Sequence, residues 1–253
     1  MTNIALKALS GAGFAAIAVG LSLHYRLGHA REMAIAAARA LVQLAAVGAL
    51  IALVFKFPGL AFAFVAAMLA TAGLTSGGRL RGLPGARGRA LVSIALPALA
   101  STVLLLAVGA FEFTPRAAVP TAGILIGGAM TATTLTGRRL LESLRDDVPE
   151  IETRLALGDS ARTALAPAIR RAVHTGLVPV IDQTRSVGLV TLPGTFVGLV
   201  LGGATPAEAA ATQLVVLLAL LAVELVAGLL LAELTQRAVI LPGERVRAIA
   251  AER

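Results

Sequence analysis

The chain contains no cysteine. Disulfides, thiolate metal sites and a cysteine nucleophile are therefore excluded. Tryptophan is absent and tyrosine occurs once, so the aromatic belt of many membrane proteins is nearly missing. Lysine occurs only as Lys7 and Lys56. Neither closes a G-x-x-x-x-G-K-[ST] phosphate loop, so no ATPase site of that kind exists in this chain. H-E-x-x-H and G-x-S-x-G are also absent. His24, His29 and His174 fall in loops or at interfaces, which leaves none for an intramembrane serine protease. "SGAG" at Ser10 and "TSGG" at Thr75 read instead as small-residue helix packing. Charge is scarce, at 14% of residues.

Apolar surface is what the chain has in excess. Of 253 residues, 57% are hydrophobic, and the mean hydropathy is +0.87. A soluble domain of this length could not hide so much apolar surface, so part of its solvent is lipid. The net charge of +8 then marks cytoplasmic loops rather than a nucleic-acid footprint, and no nucleic-acid partner is expected. The apolar N-terminus lacks a basic region and a cleavage site, and reads as a retained span.

A hydrocarbon core takes about 20 apolar residues as helix. Seven stretches qualify: Ile4–Leu23, Met33–Phe55, Pro58–Ser76, Ala90–Ala110, Val119–Thr136, Ser186–Gly203 and Ala211–Leu234. The short Phe55–Gly59 link predicts a helical hairpin. Basic residues gather in alternate connections: Arg26 to Arg39, Arg79 to Arg89, Arg138 to Arg185, and a tail from Arg237 to Arg253. The positive-inside rule places the N-terminus outside and the C-terminus in the cytoplasm. The expected architecture is all-α: a single polytopic transmembrane domain over residues 1–253, in the inner or plasma membrane.

One cytoplasmic connection, Gly137–Thr184, is long and patterned. Asp146 and Asp147 can cap a helix with Pro149 in its first turn. Gly158 is placed to end it in a left-handed turn. Asp159 or Ser160 can cap a second helix, Ala161–Val173. The pattern allows an amphipathic interfacial helix or a docking element for a cytoplasmic partner. On the other side, Thr205-Pro206-Ala207-Glu208 is a capping box that starts the last helix.

Polar groups inside the spans are few. Gln43 lies one turn after Arg39 on the same helix face. Met130 neighbours Thr131, Thr133, Thr134 and Thr136, whose hydroxyls can bond back to their own helix. Asp182 and Arg185 read as a local ion pair at the cytoplasmic entry of the sixth span. Glu224 lies near the middle of the last span, where a carboxylate faces either another helix or a pathway. The sixth span, "VGLVTLPGTFVGLVL", is interrupted by Pro193 and Gly194. A broken helix at membrane depth needs protein or a water-filled cavity to satisfy its freed backbone groups. It should be discontinuous or kinked there, with Thr191, Pro193 and Gly194 on a hinge or pathway. Gly194 and Gly198 should permit close approach.

Four stretches carry a family resemblance: "ARALVQLAAVG" (Ala38–Gly48), "VPTAGILIGGAMTA" (Val119–Ala132), "RLALGDS" (Arg154–Ser160) and "IDQTRSVGLVTLPGTFVGLVLGGATPAEAAATQ" (Ile181–Gln213). The chain resembles the FetB-type permeases of ATP-binding-cassette transporters, a family with a bacterial iron exporter and plant aluminium-tolerance permeases. That family carries asparagine where this chain has Gly128, and it supplies no role for Glu224. The resemblance implies a permease subunit, a separate ATPase that binds ATP and Mg, and a homodimer serving two ATPase copies. "EIETRLALG" (Glu150–Gly158) is similar to the coupling helix of importer permeases. Leu155, Ala156 and Leu157 would form its apolar knob, Gly158 its fixed turn, and Glu152 and Arg154 its polar rim. Iron or another metal is the implied cargo. The spans nevertheless offer only Met68 and Met130 as soft ligands, and few hard oxygens, so no metal ligands are assigned. An iron chelate, a non-metal solute such as a nucleotide sugar, or an ATP-independent channel or secondary transporter are the alternatives.

Overall fold

The computed structural model describes residues 2–247; Arg253, counted above in the basic tail, lies outside them. The chain forms two compact units, residues 1–60 and 61–253.

The first unit holds α1 (Thr2–His24) and α2 (Ala30–Lys56), which pack on each other. Gly28 turns the chain between them at φ +78°. Alpha2 closes with the Phe57 N–H donating to the Leu53 carbonyl, and the Leu60 N–H then donates to that of Phe57 (3.0 Å). Arg39 and Gln43 lie one turn apart on α2, and both are exposed.

The second unit contains α3 (Leu60–Arg79), α4 (Ala86–Ala107), α5 (Pro115–Asp146), α6 (Val148–Ala156), α7 (Ala161–Ser186), α8 (Gly194–Leu201) and α9 (Pro206–Val239). A small antiparallel hairpin, β1 (Ile240–Leu241) with β2 (Arg245–Val246), follows. Among the described residues, α1 to α5 and α9 are long and apolar enough to cross a membrane.

Small residues set the packing. In lipid, apolar burial drives helices together only weakly, so close van der Waals contact must hold them. A Cβ on Gly77 would lie 2.5 Å from the Arg87 Cα, and one on Gly73 would lie 2.9 Å from the Leu91 side chain. These contacts bring α3 and α4 together. A Cβ on Gly128 would meet Leu220 and Glu224, and one on Gly137 would meet Leu80 and Leu231. Residue numbers rise together along this contact, so α5 and α9 run parallel. A Cβ on Gly176 would fall on Thr136 and Ala132, while Val180 joins Leu125 and Ile126 in one core cluster. Alpha7 is therefore antiparallel to both. Because α5 and α9 are parallel, the chain must travel back between them, and α7 with α8 makes that return.

Three expectations change. The helix foreseen at Ala161–Val173 continues through Pro167 and Pro179 to Ser186. Alpha5 likewise continues to Asp146, so Gly137–Thr184 is largely helix. Each internal proline removes one helical hydrogen bond, at a cost of about 3 kcal/mol in isolation, but α7 packs along α5 and α9. Second, Ser186–Gly203 is not a continuous span: α8 has 8 residues, roughly 12 Å of helix. Third, Asp147 stands at the N-cap of α6 without a capping hydrogen bond. Its carboxylate instead accepts from Arg171 on α7 (2.6 Å).

Candidate coupling elbow and intramembrane polar site

Alpha6 ends as the sequence predicts. Gly158 has φ +95°, a conformation open to glycine and strained for other residues. The Gly158 N–H donates to the Leu155 carbonyl and the Asp159 N–H to that of Arg154, both at 3.0 Å. This paired closure is a Schellman motif. The Arg154 guanidinium also donates to the Asp159 carboxylate across the turn (2.9 Å). Ser160 then caps α7, accepting from the Thr163 N–H (3.2 Å). Two fixed helix ends thus meet in a rigid elbow.

The elbow is anchored at one face and free at the other. Ile151 is buried among Leu144, Leu165 and neighbouring leucines. Leu155 packs against the same cluster, so it does not share an outward knob with Ala156 and Leu157. Leu157 is the projecting apolar residue, at 82% exposure, and Ala156 and Glu152 are exposed beside it. Glu152 and Leu155 line a cavity of about 480 Å³ between α6 and the terminal hairpin.

The hairpin escaped sequence reasoning. Its Glu244 carboxylate accepts the N–H of Ala161, the first residue of α7, where negative charge suits the helix dipole. Arg162 donates to Glu233 on α9 (2.9 Å), and the Gln236 side-chain amide donates to the Arg162 carbonyl (3.2 Å). The available signal was Pro242-Gly243, a turn dipeptide between short apolar runs.

At the α7–α8 break, the chain leaves the helix at Val187, well before Pro193. Gly188 turns at φ +78°, and its N–H donates to the Thr191 carbonyl (2.9 Å). The Ser186 carbonyl accepts from Leu189 (3.3 Å), Val190 (2.9 Å) and Thr191 (3.2 Å). The N–H groups of Gly188 to Thr191 are thus satisfied locally. Pro193 stands outside α8 as its N-cap, with ψ 147°, so the expected interruption takes the form of a discontinuity rather than a kink. A Cβ at Gly194 or Gly198 would meet nothing within 4 Å, so no other part of this chain packs closely on them. A cavity of about 430 Å³ lies between the break and α9, lined by Leu192, Pro193 and Gln213 among others. Asp182 and Arg185 are both exposed and form no ion pair with each other among the described residues.

Glu224 is 5% exposed, and its Oε2 has no hydrogen-bond partner. Its Oε1 occupies the space above Gly128, 2.7 Å from where a Cβ there would stand. Gly128 and Glu224 thus face each other across the α5–α9 contact. Met130 is half-buried and packs, with Met68, on the core. Thr134 donates to the Met130 carbonyl (2.7 Å) and shares a hydrogen bond with Ser76 of α3 (3.0 Å). Among the described residues, no three His, Cys, Asp or Glu side chains gather as a metal site. The structure therefore joins the elbow residues, brings Pro193 near Gln213, and sets Glu224 apart from both.

The chain matches the uncharacterised protein family UPF0014 over residues 5–240 and belongs to it. It is 39% identical over 227 residues to the UPF0014 membrane protein STAR2 of Oryza sativa subsp. japonica, covering 89% of this chain and 80% of that protein. It is 36% identical over 206 residues to Protein ALUMINUM SENSITIVE 3 of Arabidopsis thaliana, covering 79% and 74%. It is 27% identical over 223 residues to the Probable iron export permease protein FetB of Escherichia coli (strain K12), covering 87% and 86%. No solved structure matches it significantly. The chain is a multi-pass membrane protein.

Proposed function

We propose that this chain is the permease subunit of an ATP-driven transporter, exporting iron or another metal with a separate cytoplasmic ATPase. The observation that carries the reading is the α6–α7 elbow. It offers an exposed Leu157 on a helix whose other face is buried through Ile151. Both of its turns are fixed by hydrogen bonds. A lever between soluble motor and membrane helices needs this combination: a knob to be gripped, and a joint that does not absorb the motion. The Asp147–Arg171 and Arg162–Glu233 ion pairs would pass that motion to α7 and α9. The likeness to a protein named as an iron export permease supports the cargo.

In this reading the N-terminus is outside and the elbow and C-terminus are cytoplasmic. Two copies form a homodimer, and ATP and Mg bind only to the partner ATPase. Arg39, Gln43, Met130, Asp182, Thr191, the Pro193–Gly194 break and Glu224 stand as pathway residues. One observation favours a second cargo: among the described residues, no three His, Cys, Asp or Glu side chains gather. A chelated metal or a non-metal solute would need no such cluster.

The test is co-purification of the tagged full-length chain from its native membrane. An ATPase bearing a phosphate-loop motif is expected with the wild type. It should be lost on Leu157→Asp or Gly158→Val while insertion is unchanged. Absence of any such ATPase from the wild type, together with transport that continues without ATP, would overturn the reading.

A further inference from the structure

Beyond the ATPase-driven reading, we propose that Glu224 is a proton-binding site in the α5–α7–α9 contact, and that release of its proton obliges the contact to open. Three observations converge on it. The first is isolation. Glu224 is buried, and its Oε2 has no partner. Alpha9 packs against α4, α5, α7 and α8. No titratable side chain lies between Ala90 and Ala107, between Ala117 and Gly137, or in α8; nor does α3 carry one before Arg79. On α7, His174, Asp182 and Arg185 are exposed. On α9 itself, Glu208 and Glu233 stand roughly 24 Å and 14 Å away along the axis. A carboxylate here would be a charge without counter-charge or hydrogen bond in a low-dielectric interior, and that favours the neutral acid.

The second is valence. Magnesium or calcium takes about six or more oxygen ligands, and one carboxylate cannot supply them. A proton needs a single oxygen, and Glu224 provides it.

The third is the polar line on which Glu224 sits. Gln213, Glu224 and Thr235 are all buried, and each has a side-chain oxygen without a partner. They recur at the same interval, about three helical turns plus 20°, so they share one face of α9. Thr136 adds another unpartnered hydroxyl, set between Gly176 and Gly228, one turn beyond Glu224. At the other end Gln213 lines the cavity beside the α7–α8 break. The steps along the line are too long for direct transfer between side chains. At Gly128 and Gly176 the helices meet so closely that an added Cβ would collide with its neighbours. A proton can therefore leave only when α5, α7 and α9 separate, and an ionised Glu224 favours the separated, hydrated arrangement. Protonation and helix opening are thereby linked.

Infrared spectroscopy of the full chain in lipid, titrated from acid to alkaline pH without any ATPase, tests the proposal. At neutral pH the wild type should show a protonated-carboxyl stretch when its exposed acids are ionised. Glu224→Gln should abolish that band, and Glu224→Asp should shift its frequency. Backbone hydrogen exchange in α5 and α9 should rise as the band titrates away, in the wild type but not in Glu224→Gln. A wild type without the band, or a Gln variant that keeps it, overturns the proposal. Should Glu224→Gln fail to insert, Gly128→Ala decides, because its methyl would displace the carboxyl. An unmoved titration in that variant, with an unshifted band in Glu224→Asp, overturns the proposal equally. Because no ATPase is present, failure here leaves the proposed function untouched, and the reverse holds as well.

Discussion

Alpha9 and the stretch Val187–Leu201 are both apolar, yet the first is a helix of 34 residues and the second a loop ending in a helix of 8. The difference lies in local chemistry and in partners. Alpha9 begins with a complete capping box: Thr205 accepts from the Glu208 N–H (3.3 Å), and Glu208 accepts from the Thr205 N–H (2.9 Å). It is rich in Leu and Ala, the better helix formers. Alpha4, α5 and α7 pack along it. The other stretch mixes Gly, Thr, Val and Pro, which hold a helix poorly. Several of its side chains stay outward: Leu189 is 89% exposed and Val190 82%. Hydrophobicity thus selects the solvent, while capping and packing decide whether a helix runs through it.

The comparison breaks most sharply where helices touch. Gly176→Ala puts a Cβ 2.1 Å from the Thr136 hydroxyl oxygen and 3.0 Å from the Ala132 carbonyl. Overpacking of this kind costs about 1–3 kcal/mol or more. Unfolding in detergent should show a loss of that size. Gly198→Ala in α8, with nothing within 4 Å, should instead gain up to about 1 kcal/mol, because alanine holds a helix better than glycine. Equal losses would mean that α8 is as tightly packed as the bundle.

A smaller effect is expected inside the break. Gly188 has φ +78°, and an L side chain there costs roughly 1–2 kcal/mol. Gly188→Ala should lower the unfolding midpoint, with no compensation from new contacts, since nothing lies near its Cβ position. The cap of α9 comes next. Thr205→Ala removes one partner of the capping box and should cost about 1 kcal/mol, whereas Thr205→Ser should keep most of it. A Ser variant as weak as the Ala variant would argue against the hydroxyl as the cause.

Legibility in the sequence follows the same division. Local signals read correctly: the Thr205–Glu208 box, the Ser160 cap and the left-handed Gly158 each rest on residues within one turn. Readings that depended on distant partners did not. Alpha7 carries Pro167 and Pro179 with several charges, so its sequence suggested a short helix; packing against α5 and α9 carries it on to Ser186. Leu155 looked like part of an exposed knob because the cluster that covers it comes from other elements, α5, α7 and the terminal hairpin. Glu244 was invisible as a cap because Ala161 is 83 residues away. Gly128 and Glu224 could be picked out singly. Their meeting required the parallel register of α5 and α9, which no local pattern encodes.

The smallest expected effect is the most discriminating. In a continuous span, Pro193→Ala would restore a helical hydrogen bond and relieve a clash, gaining about 3 kcal/mol. Here Pro193 precedes α8, with φ −61° and ψ 147°, an extended conformation that suits proline. Its carbonyl already accepts from the Val197 N–H (3.1 Å), so α8 has its first turn. Upstream, Val187 to Thr191 are held by the Ser186 carbonyl and by the Gly188–Thr191 hydrogen bond, none of which involves Pro193. Alanine would therefore add one backbone donor and some freedom to the unfolded chain, but it would not rejoin α7 to α8. Stability should move by no more than about 0.5 kcal/mol, and helix content by circular dichroism should not rise. A clear gain in both would show that proline alone interrupts the span, and that Val187–Thr191 forms a turn only because Pro193 follows it.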